Sequence, residues 1–422
     1  MRGTLSYGDD VLIFGASGIW KIDRQGKEVV DFNMGIRRAA EYRQIRNIAI
    51  TDSGELYAVA PLALYRFNNG HWIECDFRTA DDERMSDVLV KGDSVIAIGR
   101  SHIYIDSGDG VFRKVSVKAP NSAMAQATLF RTVWLLHSGE MFGFYGRLLA
   151  DSIAVILLVL CTTGFIYWIA PKVIKYRKQS GKLSPSMISA MKQSLKIHDR
   201  TGKISLVFIL FITISGWCLR PPVMIPLAMT TIPAIPGTML DNGNYWNDKL
   251  RMLRFDTDSQ EWLLSTSEGF FCMKDLDSIP ISIENTPPVS VMGLNVLEKD
   301  TEGNWLCGSF SGMYRWNRKA GIAFDYFTNE EAKEQAGPPI GRFAVSGYSK
   351  EFNTVAEYYD GTQSVMQPDS LNYLPMSLWN VALEVHSGRI FIGSSATYFF
   401  IFFIGLCIIW SIWSGWKVRR RK

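Results

Sequence analysis

Two kinds of apolar pattern alternate along the 422 residues. Short runs in which apolar and polar positions alternate, bounded by Gly, Asp and Ser, fill 1–130 and 223–380 and predict β-strands. Three uncharged runs interrupt and close them. Ser152–Ala170 has 19 residues without a charge, Ile390–Trp416 has 27 and Ile204–Leu219 has 16. A helix needs about 20 apolar residues to cross the hydrocarbon core, so the first and last are long enough. The middle run reaches that length when Lys203 and Arg220 extend their stems to the interface and the uncharged, Pro-rich run to Leu240 follows; the other reading of it is a buried helix of a soluble domain. The pattern predicts a mixed membrane protein, with three transmembrane α-helices plus an all-β, extracytoplasmic domain split in sequence. Its boundaries fall at 1–130 (first β segment), 131–171 (first transmembrane helix), 172–197 (basic loop), 198–222 (second helix), 223–380 (second β segment), 381–416 (third helix) and 417–422 (basic tail).

The strand signals repeat. Val11–Asp23, Asn47–Phe67 and Val95–Asp106 are strand–turn–strand units in which Trp20, Tyr65 and Tyr104 correspond, at spacings of 45 and 39 residues. After the second apolar run the pattern resumes through Leu263–Phe271 and Asp300–Asn317, with Gly269 and Gly312 separated by 43 residues, and a weaker unit follows at Val355–Thr362. A period of about 40–45 residues with several strands each is that of propeller blades. Asp300–Asn317 resembles the two-component-regulator propeller repeat closely and the other units resemble it loosely. A propeller split between the two segments is the expectation; a β-sandwich in each segment is the alternative.

Charge orients the spans. Between Lys172 and Lys203 there are nine Lys or Arg against one acid, Asp199, and Lys417–Lys422 adds five more cations. Basic clusters beside apolar spans are topology signals, which speaks against a nucleic-acid partner. Both clusters then face the cytoplasm, and both β segments face the periplasm of a bacterial inner membrane. The first β segment has no apolar leader ahead of it, so the sequence is expected to lack a natural N-terminal portion carrying another span. The alternative is export driven by the first span itself. The six cysteines include no CxxC pair; Cys272 and Cys307 are the two whose pairing the sequence leaves open.

The candidate chemistry lies in three of the five histidines. His137 and His386 stand in Leu-His-Ser-Gly and Val-His-Ser-Gly, 27 and 29 residues before Gly164 and Gly415; His198 stands before Ser215-Gly216. A histidine followed by a span ending in Thr/Ser-Gly therefore occurs three times. With the orientation above, His137 and His386 lie near the outer face and His198 near the inner one. Two imidazoles from neighbouring helices can take both axial positions of a haem iron. Gly139, Gly143, Gly146, Gly388 and Gly393 are small enough to admit a helix or a flat macrocycle. The plainer reading is an interfacial histidine bonded to lipid or backbone. Arg147 and Asp151, one turn apart, are placed to pair, to meet a haem propionate or to anchor the helix in the headgroups.

Leu136-His-Ser-Gly139 with Arg147 and the distal Thr-Gly and Trp, repeated at Val385-His-Ser-Gly388 with Ser-Gly-Trp, resembles the PepSY-associated transmembrane family. The likeness covers the three spans. Members of that family commonly have four spans, and some are inner-membrane reductases of siderophore-bound iron that hold haem b between membrane histidines. The resemblance implies that His137 and His386 ligate an outer haem, and that His198 ligates an inner haem whose other ligand comes from a first helix or a partner subunit. Two departures weigh on it: His198 has no evident partner here, and the exported part is propeller-like rather than a PepSY fold. The implied function is electron transfer from a quinol or cytoplasmic donor to a periplasmic acceptor such as a ferric siderophore. The alternatives are a membrane-anchored propeller that senses or binds a periplasmic ligand, and a scaffold for a transporter.

Overall fold

The structure, a computed structural model of the full chain, describes residues 1–422 apart from 24–27, 77–82, 109, 122–124, 183–184, 291, 333–342, 359, 363–375, 389, 391–393 and 420–422. The chain divides into two compact units, Met1–Ala125 with Gly243–His386, and Gln126–Asn242 with Ser387–Lys422. The two β segments thus contribute to one unit, and the long helices to the other.

The first unit is built from antiparallel meanders. They are β1 (Gly3–Tyr7), β2 (Asp10–Gly15), β3 (Gly18–Asp23) and β4 (Val29–Asp31); β5 (Asn47–Ile50), β6 (Leu56–Ala60), β7 (Ala63–Asn68) and β8 (His71–Glu74); and β9 (Met85–Lys91), β10 (Ser94–Gly99), β11 (Ile103–Asp106) and β12 (Arg113–Val115). A two-stranded ribbon in the other unit, β13 (Gln126–Thr128) with β14 (Thr231–Pro233), comes next in chain order. Two further meanders follow: β15 (Leu250–Asp256), β16 (Glu261–Thr266), β17 (Gly269–Met273) and β18 (Ile281–Ser282); then β19 (Leu294–Lys299), β20 (Trp305–Ser309), β21 (Gly312–Asn317) and β22 (Ile322–Asp325). A last hairpin, β23 (Val345–Ser349) with β24 (Thr354–Glu357), joins the first sheet where β23 pairs in parallel with β1.

The repeat read from the sequence is the third strand of each meander. Trp20, Tyr65 and Tyr104 are all buried on β3, β7 and β11. Gly18, Gly269 and Gly312 close the turn before the third strand with φ of 109°, 115° and 137°, where a side chain would be strained. Successive meanders share apolar cores. Leu12, Ile19, Leu56 and Tyr65 pack the first on the second, Val59, Leu64, Val88 and Ala97 the second on the third, and Ile98, Leu253 and Leu264 the third on the fourth. Leu263, Phe270, Leu297 and Trp316 join the fourth to the fifth, and Val296, Leu306, Met313 and Val345 join the fifth to the last hairpin.

Polar side chains tie the first strands together. Asn47 donates to Asp87 (2.8 Å), Arg254 donates to the other Asp87 oxygen (2.5 Å) and reaches Glu298 (3.4 Å). Arg2 donates to Asn295 (2.6 Å), which donates to the Val345 carbonyl (2.6 Å). A second network joins the fourth and fifth sheets, where Asp256 receives Lys299 (2.7 Å) and Arg318 (2.9 Å), and Arg318 also holds Glu261 (2.6 Å).

The second unit contains α2 (Leu129–Ser138), α3 (Gly143–Gln179), α4 (Pro185–Cys218), α5 (Met224–Met229) and α7 (Ser394–Arg419); α1 (Ala40–Arg43) and α6 (Leu378–His386) belong to the first. Two stretches, Glu140–Gln179 and Pro185–Cys218, are long and apolar enough to cross a membrane, while α7 has a shorter apolar stretch, Phe399–Ser414. Val155, Leu158, Phe165, Ile204 and Val207 point outward from α3 and α4. In water such a surface would be costly; in hydrocarbon it is satisfied. α4 packs against α3, α2 and α7. Pro171, which in the sequence closes the first span, lies inside α3, which continues to Gln179. A proline removes one backbone donor, and the turns on either side are sufficient to carry the helix through. Lys172 sits 3.8 Å over the Trp168 ring, an arrangement suited to a headgroup boundary.

Cys272 on β17 and Cys307 on β20 are not bridged; all six cysteines are free thiols, and burial pushes the Cys307 thiol far above its ordinary range.

Candidate functional site

His137 owes its place to two helix caps. Thr128 begins α2 by accepting the Arg131 N–H (3.1 Å), and Gly139 ends it at φ 77°, a left-handed residue of the kind that closes helices. The His-Ser-Gly unit is therefore the end of a short helix, with the imidazole in its last turn. The chain then reverses through Glu140–Phe142 into α3. A side chain on Gly139 would come within 2.1 Å of the Gly146 carbonyl, and one on Gly146 within 2.0 Å of the Gly139 carbonyl. These two glycines serve a backbone-to-backbone crossing. Gly143 has open space around it, Gly388 meets Ile401, and Gly393 lies outside the described residues.

The imidazole of His137 rests on α4. Its Nδ1 is 3.0 Å from the Ser215 hydroxyl, and that hydroxyl donates to the Phe211 carbonyl (2.8 Å). With its proton committed to the carbonyl, the hydroxyl accepts from the ring, so Nδ1 carries the hydrogen and Nε2 the lone pair. A Cβ at Gly216 would stand 2.8 Å from Cε1 of the same ring.

His198 repeats this arrangement on α3. Its Nδ1 is 3.0 Å from the Thr163 hydroxyl and 3.1 Å from the Leu160 carbonyl, while Thr163 donates to the Val159 carbonyl (2.7 Å). A carbonyl only accepts, so Nδ1 is again the donor and Nε2 the unprotonated nitrogen. Gly164 lies beneath the ring, its Cβ direction 3.4 Å from Cε1. Ser194 adds a bond to the Thr163 carbonyl (3.0 Å) one turn earlier on α4.

Thr163-Gly164 and Ser215-Gly216 thus each receive a histidine from a neighbouring helix rather than from their own span. The recurrence of Thr/Ser-Gly was the signal in the sequence; its partner could not be read there. His198 and Ser215 are 17 residues apart on α4, roughly 26 Å at 1.5 Å per residue, so the two imidazoles are bound at well-separated levels of one helix. His386 ends α6 in the other unit and is exposed; Gly388, two residues on, has φ 74°, as Gly139 does after His137.

The remaining histidines differ. His102 uses both ring nitrogens, Nδ1 toward Glu83 (2.8 Å) and Nε2 toward the Asn244 amide (3.2 Å). Burial acts to raise the Glu83 carboxyl, but His102, Tyr104 and the Ser101 N–H outweigh it and hold Glu83 below its usual range. His71 is exposed, with Nδ1 near the Asn69 carbonyl. Arg147 and Asp151 do not pair with each other; both are exposed. Among the described residues no group of three or more His, Cys, Asp or Glu is placed to hold a metal ion.

The PepSY-associated TM region family matches residues 97–421, which include α2, α3, α4, α6 and α7 and all three candidate histidines. The chain belongs to this family. The match begins within β10, so it also takes in the later meanders. No curated protein matches the chain. Among solved structures, it is similar to two structures of an extracellular domain from B. thetaiotaomicron, one described as part of a hybrid two-component system and one as part of a one-component system. Identities are 9% and 8%, each with a TM-score of 0.41; they cover 86% and 87% of this chain. The chain spans only 31% and 41% of their lengths.

Proposed function

We propose that this membrane protein is a haem-binding oxidoreductase of the bacterial inner membrane, passing electrons to a periplasmic acceptor such as siderophore-bound ferric iron. The observation that carries this reading is the state of two imidazoles, His137 and His198, each with Nδ1–H held by a hydroxyl of the next helix. Histidines that ligate metals are anchored in this way at the far nitrogen. The donor set fits haem better than a bare metal ion. A haem brings four equatorial nitrogens and needs only one or two imidazoles, whereas a zinc site needs three or four protein ligands.

Haem b, when bound, supplies one-electron chemistry at its iron. His137 and His198 would each hold a haem iron through Nε2, while Ser215 and Thr163 keep the Nδ1 proton in place. Their separation along α4 supports the reading that they would hold different haems. In this reading His386 completes the outer pair, and the second ligand at the level of His198 comes from a further helix or a partner subunit. α7 is the third span, the basic segment between α3 and α4 and the C-terminal tail face the cytoplasm, and lipid surrounds the apolar faces. The meanders are blades of a periplasmic propeller, supported by the succession of shared cores and by β23 returning to β1. The donor is a quinol or a cytoplasmic reductant.

A reduced-minus-oxidised spectrum of the purified, haem-replete chain tests the proposal. We expect a b-type band that His198→Ala and His137→Ala each diminish; a wild-type protein without that band would refute it. A second reading, a membrane-anchored sensor or binding module, is favoured by the polar network on the first strands of the β unit, a feature that electron transfer does not require.

A further inference from the structure

That network includes Arg2 and adjoins Arg46, two cations without an ion pair among the described residues. Arg2 precedes β1 and Arg46 precedes β5, and both flank Gly15: the Arg2 backbone nitrogen is 3.2 Å from where a Gly15 Cβ would stand, and Ile45 N–H donates to the Gly15 carbonyl (2.9 Å). Among the described residues neither guanidinium makes an ion pair. Arg2 has Asn295 at Nη1, but its buried Nε has no hydrogen-bond partner; Arg46 has only the neutral Gln44 amide oxygen at 3.4 Å. The nearby carboxylate, Asp87, is already bound to Arg254 and Asn47. Arg100 and Arg84 add positive charge near Arg46, each paired with its own acid, Asp248 and Glu41.

Electrostatics agree with the geometry. Burial and then the proximity of Arg46 lower Arg2 to about 9, against an opposing effect of Asp87. Burial and then Arg100 and Arg84 lower Arg46 to about 10. Neither residue as a whole is fully buried. Two guanidiniums without an ion pair, contributed by adjacent meanders and one of them with an unfilled donor, match a small anion with several oxygen acceptors.

We propose that Arg2 and Arg46 form a binding site for a small multivalent oxyanion, a polycarboxylate or a phosphate, where the first strands of the β unit meet. The oxyanion accepts from the two guanidiniums, while Asp87 stays with Arg254. This site is independent of haem, so it holds whether the chain transfers electrons or senses a ligand.

Calorimetric titration of the full-length chain in detergent with citrate, and separately with phosphate, tests it. Wild type is expected to bind at least one of them saturably. Arg46→Gln should weaken that binding about tenfold or more, as expected for loss of a charge-assisted contact. Lys319→Gln, exposed beyond β21 at the far end of the fifth meander, should leave it unchanged. Arg46→Lys keeps the charge but loses the fork and should fall between them, which provides a reading if the glutamine variant does not fold. The stronger of the two probes identifies the class. Absence of saturable binding to wild type, or equal binding by wild type and a folded Arg46 variant, overturns the proposal.

Discussion

At the residue scale, the two imidazole contacts differ in how tightly glycine supports them. A methyl group at Gly216 would stand 2.8 Å from the His137 ring, so the ring must move; at Gly164 the corresponding distance to His198 is 3.4 Å, which a small shift absorbs. Gly216→Ala is therefore expected to displace the His137 ring, and Gly164→Ala to be tolerated. Haem content per chain, measured beside a circular dichroism control for folding, distinguishes them; equal loss in both variants would contradict this ranking. Ser215→Ala tests the hydroxyl. Removing the Nδ1 acceptor should weaken haem affinity roughly tenfold or more without unfolding the helices.

At the element scale, the corner between α2 and α3 depends on Gly139 and Gly146. Gly139→Ala places a Cβ 2.1 Å from the Gly146 carbonyl at a left-handed φ of 77°, and should destabilise the helical unit by about 1–3 kcal/mol in a denaturation titration. In the β unit, Asp256 links the fourth and fifth meanders. Burial alone would raise its pKa, but Lys299, Ser259, the Asp258 N–H and Arg318 outweigh burial and hold it at about 2. A depressed carboxyl contributes stability that is present above its unfolded pKa of about 4 and lost as pH falls through the folded value. Thermal unfolding should thus lose stability between about pH 4 and pH 2, and Asp256→Asn should remove much of that dependence. A variant with the wild-type acid profile would show that other carboxylates govern it.

Strand-level features were legible in the sequence because they are local. Trp20, Tyr65 and Tyr104 recur at blade-like spacing and are buried on equivalent strands, and the turn glycines occupy the left-handed conformations their positions require. The short helices α2 and α6 were not legible, since Gly139 and Gly388 read equally well as packing residues and as caps. The partners of His137 and His198 were hidden for another reason. A Thr-Gly pair in a span shows a small polar step on a helix, and only tertiary packing determines which helix supplies the ring. The pairing of β1 with β23, 345 residues apart at Gly3 and Tyr348, has no local trace at all.

At the scale of the whole molecule, the family match explains why the helical repeat was readable: residues 97–421 contain it entirely. Three spans remain an expectation for which two long apolar helices and the shorter stretch in α7 are the support. Alkylation of single cysteines placed in the basic segment near Lys178 and in an exposed turn of the β unit such as Asn69, in intact cells and then in lysed ones, tests the orientation. Protection of the first and labelling of the second in intact cells is expected; the reverse pattern would invert the topology.

The insertion of the helical unit between the third and fourth meanders also imposes an order on biosynthesis. The first three meanders leave the ribosome before Gln126–Asn242, a stretch of 117 residues, and the fourth follows only afterwards. At roughly 5–20 residues per second that is a wait of about 6–23 s. Throughout it the flank of β9 that β15 will cover, and the edge of β1 that β23 will pair with, stay open. A half-made β unit with two unprotected flanks is a substrate for chaperones and proteases, so the yield of this protein should depend on how fast translation passes through the helical insert.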